Sequence, residues 1–135
     1  MEPNSGHEKF FSLAQLFEKE KSLELYLKGI EILSNVVEQH SEAANSDYID
    51  YKRQLSNAYC SVAELYMTDL CDENDAEEKT LDFAEKAIAA DSQNPEAFQT
   101  KSRFLLIKNQ FEVLLFSIDS SKYFSNTMLL IIDIF

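Results

Sequence analysis

The residues best placed to do chemistry are acids, gathered in the segment DENDAEE at 72–78. Carboxylates in a short loop can coordinate calcium, which requires oxygen ligands at alternating positions, a glycine at the sixth place and a glutamate at the twelfth. Counted from Asp72, Ala76 and Glu77 stand where a ligand and that glycine belong, so calcium is not expected. Cys60 and Cys71 have no second cysteine pair or nearby histidine to complete a tetrahedral set, and read as reduced, structural thiols. His7 and His40 lie far apart in polar segments and are expected on the surface. The sequence offers no glycine-rich phosphate loop, no Ser/His/Asp or Cys/His spacing and no HExxH, and acid pairs on helices are more simply solvated faces than catalytic dyads. The expectation is therefore a non-enzyme, with no catalytic, cofactor-binding or metal-binding residues.

The elements that must carry these residues are helices. Two glycines and two prolines in 135 residues are too few for the turns of a sandwich or barrel, while Leu, Glu, Ala and Lys run through most of the chain. A hydrophobic content of 45 % is that of an ordinary globular protein, and the length suits one domain. Residues 1–9 lack a basic region followed by an apolar stretch, so neither a signal nor a transit peptide is expected and the chain is read as starting in the cytosol. The formal net charge of −12 argues against direct binding of nucleic acid or an anionic membrane, both of which call for a basic surface. Residues 69–100 hold ten carboxylates against Lys79 and Lys86, a local charge of −8, and a basic partner is the natural complement.

One spacing recurs along the chain. Phe10, Leu13, Ala14 and Phe17 give a large anchor, an apolar residue, a small residue and a second large one; Tyr59, Val62, Ala63 and Tyr66 repeat it, and Phe98, Lys101, Ser102 and Leu105 repeat it more weakly. These are the positions of helix A in a tetratricopeptide (TPR) repeat, where the small residue lets two helices approach closely. Residues 22–33, with Leu25, Tyr26, Gly29, Ile30 and Leu33 on one stripe, and residues 81–90, with Ala84 and Ala87, read as helices B. Asn94 is placed to cap the next helix and Pro95 to begin it. The fold class predicted is an all-α, TPR-type solenoid of antiparallel helix pairs, about two and a half repeats, with units near 8–38, 52–92 and 95–118 in a domain over 1–110.

Departures from the repeat are also legible. Tyr59 and Phe98 are 39 residues apart, against the usual period of about 34. The surplus falls in an acidic connection at 70–78, whereas the first repeat has a tight turn and 39–50 reads as a mobile loop. Residues 111–135 form a divergent hydrophobic tail unlike the polar cap of a solenoid, which suggests a shortened form. Its last apolar run, 128–135, is eight residues against the roughly 20 that a bilayer span needs.

With the large anchors as fixed points, the groove positions of the three A helices are Glu8, Phe11, Gln15 and Glu18, then Asn57, Cys60, Glu64 and Met67, then Glu96, Gln99, Arg103 and Leu106. Only Arg103 is basic, so a clamp for a carboxylate-ended peptide is not expected and a basic or mixed ligand is. Glu64, Asp69, Asp72, Glu73, Asp75 and Glu96 are the candidate contacts for such a client, with Phe11, Tyr59 and Phe98 assigned to packing.

Three segments carry a family resemblance. KFFSLAQL at 9–16 followed by LYLKGIEIL at 25–33 resembles the opening of the eukaryotic TPR chaperones dedicated to protein four of the large ribosomal subunit. AYCSVAELYMTDLC at 58–71, followed by DAE at 75–77, is closely similar to that family's AxCSxAExYMTDLC and DAE segment, and PEAFQT at 95–100 to its PExxQT turn. The resemblance, spanning roughly 9–106, implies a monomeric chaperone, present in cytoplasm and nucleus, that shields a newly made basic ribosomal protein and escorts it to ribosome assembly. The alternative reading is a generic TPR adaptor in a multiprotein complex.

Overall fold

A computed structural model of the chain describes residues 6–40 and 46–109. These form five helices: α1 (Gly6–Ala14), α2 (Lys19–Gln39), α3 (Ser46–Met67), α4 (Ala76–Ala90) and α5 (Pro95–Lys108). Among the described residues there is no strand. Each helix packs on the next in the chain, and α5 also reaches back to α3.

The reversal between α1 and α2 takes four residues, 15–18, as the tight turn anticipated. Lys19 adopts the left-handed backbone with φ of 51°, unusual for a residue with a Cβ. The Ser22 hydroxyl donates to the Ala14 carbonyl at 2.8 Å, giving one of the last carbonyls of α1 a partner it would otherwise lack.

Along α2 the stripe Leu25, Tyr26, Gly29, Ile30, Leu33 and Val36 is buried, at the three- and four-residue spacing that keeps one helix face inward. Gly29 lies beneath the Phe11 ring of α1. Facing this stripe are Leu55, Ala58, Val62 and Ala63 of α3, and beyond them Phe83 and Ala84 of α4 complete the main core. Ala14, Ala63, Ala84, Ala87 and Ala97 are fully buried, which lets neighbouring backbones approach closely. The Tyr66 and Phe83 rings stack with centroids 6.1 Å apart, joining α3 to α4.

A buried polar network ties the α4–α5 turn to α3. Ser56 donates to the Ala87 carbonyl at 2.7 Å, and the Asn94 amide donates to Ser56 at 2.9 Å and to Asn57 at 2.8 Å. The Asn94 side-chain Oδ1 accepts the Glu96 N–H at 3.2 Å, so Asn94 caps α5 with Pro95 at its first position, as the sequence predicts. Arg53 donates to Asp91 at 2.6 Å and to the Gln93 carbonyl at 3.2 Å.

Several expectations are corrected. His7 is 1 % exposed, its Nε2 paired with Gln54 of α3 at 2.9 Å and its ring edge-on to Phe11 and Tyr51. His40 is half-buried, its Nδ1 bonded to the Val36 carbonyl at 2.8 Å and its ring against Tyr51. Both polar segments lie against α3, a neighbour that local composition cannot reveal. Residues 46–50 open α3 and are not loop; Asp47, in the first turn, favours the helix start through the dipole. Helices α2 and α4 extend beyond the spans read for helices B, and α4 takes in 76–78 of the acidic connection.

Phe98, assigned to packing, is 47 % exposed, because α5 turns Ala97, Thr100 and Phe104 inward instead. Phe17, Leu13 and Leu105 are likewise exposed. The anchor pattern is inward throughout only on α3, with Val62 and Ala63 buried and Tyr59 and Tyr66 half-buried, since α3 alone is covered by α2, α4 and α5. The end of the 95–118 unit and the tail at 111–135 lie outside the described residues, as do 41–45 of the loop read at 39–50.

Candidate functional site

Between the α1–α2 turn, α3 and α5 lies a cavity of about 480 Å³. Its walls include Gln15, Phe17, Tyr26, Leu65, Met67 and Ile107, and its polar edge is formed by Ser61, Glu64 and Arg103. A smaller recess of about 190 Å³ adjoins it, lined by Asn57, Cys60, Ser61, Glu64 and Glu96. Ser61 and Glu64 line both, so the two spaces form one groove. Seven of the twelve groove positions read from the repeat spacing line it: Gln15, Asn57, Cys60, Glu64, Met67, Glu96 and Arg103.

The six candidate contacts fall into two sets. Glu64 and Glu96 come together at the groove, where they line the smaller recess with Cys60. Burial pushes the Cys60 thiol up to about 11, and the Glu96 and Glu64 carboxylates push the same way by disfavouring a second negative charge beside them. Asp69, Asp72, Glu73 and Asp75 stand exposed on the connection from α3 to α4. That connection is a chain of turns anchored by buried Leu70, whose N–H donates to the Leu65 carbonyl at 2.8 Å. Tyr66 feels its charge: burial raises the phenol above its usual value, and Asp75 and Glu73 raise it further.

Ion pairing separates these acids from their neighbours. Lys86 pairs with Asp82 at 3.2 Å, Lys101 with Glu85 at 3.4 Å and Lys108 with Glu77 at 3.4 Å, so the outer acids of α4 are partly neutralised. Asp69, Asp72, Glu73, Asp75 and Glu96 form no ion pair with any described residue. Glu64 does, accepting from Arg103 Nη1 at 2.9 Å. Sequence reasoning missed Phe17, Tyr26, Leu65 and Ile107 as groove walls. Tyr26 and Leu65 carry no signal of their own, because they read as ordinary core positions on helices.

Among the described residues no three His, Cys, Asp or Glu side chains group so as to hold a metal ion, and no helix is long and apolar enough to cross a membrane. Cys60 and Cys71 are both free, the first buried and the second exposed.

Fold and site together define a strongly acidic protein, helical over its described residues, with a groove of mixed apolar and polar lining and a band of carboxylates that have no ion pair among the described residues. No family model and no solved structure matches the chain. It is 38 % identical over 110 residues, 81 % of its length, to a Schizosaccharomyces pombe protein described as a probable assembly chaperone of rpl4. The chain spans 31 % of that protein's length, and the segments at 9–16, 58–71 and 95–100 carry a resemblance to the same kind of chaperone.

Proposed function

We propose that this chain is a protein-binding chaperone and not an enzyme, which shields newly made protein four of the large ribosomal subunit and escorts it to ribosome assembly. The observation that carries this reading is the 38 % identity to a protein described as an assembly chaperone of rpl4. The unpaired carboxylates and the net charge of −12 suit a strongly basic client. A basic segment that later wraps RNA clings to any polyanion, and an acidic folded surface competes for it reversibly. Release then needs no hydrolysis, because RNA outcompetes the chaperone. In this reading α1/α2 and α3/α4 are two TPR-type pairs with α5 opening a third, and the protein acts as a monomer in cytoplasm and nucleus without contacting nucleic acid or membrane.

The test is a titration with the isolated basic segment of the ribosomal protein at low and moderate salt, using the native chain and one in which Asp72, Glu73 and Asp75 are all Ala. Salt-sensitive binding that weakens in the triple variant supports the reading; no binding at low salt overturns it for this chain. A second reading, an adaptor in a multiprotein complex, is favoured by the exposure of Leu16 and Ile107 at 78 % and 60 %. It predicts affinity for a largely apolar partner that changes little with ionic strength.

A further inference from the structure

Among the described residues Arg103 is the one basic residue in the groove's lining, and it is already engaged. Its guanidinium donates to Glu64 across 39 residues of sequence, with the two side chains 32 % and 44 % exposed. Glu64 is the carboxylate common to both parts of the groove, while Glu96 in the smaller recess has no ion-pair partner among the described residues. A cation entering the groove therefore meets one free carboxylate and one held by an internal cation.

Resting on the basic-client reading above, we propose that Arg103 is a built-in competitor for the ligand's cation. The occupant is an extended basic segment in which an arginine or lysine is followed by a bulky apolar residue. Its cation lies between Glu64 and Glu96 and displaces Arg103, and its apolar neighbour enters the larger cavity among Phe17, Tyr26, Met67 and Ile107. The volume of about 480 Å³ falls within the size range of sites that enclose small ligands, ample for one side chain. Charge selects the segment and the apolar wall fixes its register, while Arg103 limits affinity and keeps Glu64 paired when the groove is empty. A partly exposed ion pair is weak enough to be exchanged.

The experiment is a double-mutant cycle on the full chain: native, Arg103→Met, Glu64→Gln and the double variant, each titrated with a short labelled peptide of arginine, lysine and leucine. Methionine keeps an apolar stem at position 103 without its charge, and Arg103→Gln removes the charge through a polar side chain as a second variant. The expected result is a gain in affinity of roughly two- to fivefold on removing the Arg103 charge, the equivalent of one partly exposed ion pair. That gain disappears in the Glu64→Gln background, and a peptide with serine in place of leucine binds more weakly to every chain. Peptide binding by the native chain with no gain in either Arg103 variant overturns the inference alone. So does an equal gain with and without Glu64, which marks a general charge effect. Failure of all four chains to bind the peptide overturns the acidic-groove reading and the inference with it.

Discussion

Replacing Gly29 by alanine pits two effects of opposite sign against each other. In a helix interior alanine is favoured over glycine by about 1 kcal/mol, so local propensity alone predicts a more stable protein. The new Cβ, however, would stand 2.8 Å from Cδ1 and 3.1 Å from Cζ of Phe11, and nearer still to Cε1. Carbon atoms pack best at about 3.5–4.0 Å, so the ring must retreat by roughly 1 Å. It has little room, lying 6.0 Å from the Tyr26 ring and 5.8 Å from buried His7, centroid to centroid. Overpacking of this kind costs about 1–3 kcal/mol, and the net expectation for Gly29→Ala is a loss of about 1 kcal/mol. In a Phe11→Leu background the ring atoms that collide are gone and the same change becomes neutral or stabilising. Urea unfolding of the four chains, followed by far-UV circular dichroism, measures the coupling. If Gly29→Ala raises the midpoint while Phe11 is intact, the α1–α2 contact is looser than described and the reasoning fails.

Two further predictions concern titration and reactivity. Burial by itself would raise the Asp91 carboxyl, but the hydrogen bonds from Arg53 and the Gln93 N–H outweigh it and hold the group below its ordinary 3.8. A depressed acid stabilises the fold above that value and loses the contribution as pH falls through the folded one, so the stability gap between native chain and Asp91→Asn should narrow below about pH 4; a gap that widens there refutes the assignment. In a native-state labelling time course with iodoacetamide near neutral pH, exposed Cys71 is expected to react first and buried Cys60, its thiol raised to about 11, only on unfolding; equal rates by mass spectrometry contradict the burial of Cys60.

Much of the helical scaffold is local and was therefore open to reading. The α2 stripe, the small residues Ala14, Ala63, Ala84 and Ala87, and the Asn94-Pro95 helix start all follow from spacing and capping chemistry within a few residues. The same spacing located seven residues of the groove. Polar composition misled in two places: the first turn of α3 is polar because it starts a helix, and both histidine rings pack on Tyr51 of α3, His7 also bonding Gln54 there while His40 bonds the local Val36 carbonyl.

By itself the sequence determined that the described residues are helical, that their core is a stripe of residues three and four apart, and that the chain is strongly acidic. Those properties sum over neighbouring residues, and neighbours in sequence carry them. Tertiary structure decided which acids are free: Arg103 reaches Glu64 across 39 residues, whereas Glu96 stays unpaired beside it among the described residues. It also decided that His7 is buried against α3 and that Phe98 faces outward. Pairing and burial depend on which surfaces of distant helices meet, and that is set by packing geometry rather than by the period of any one helix.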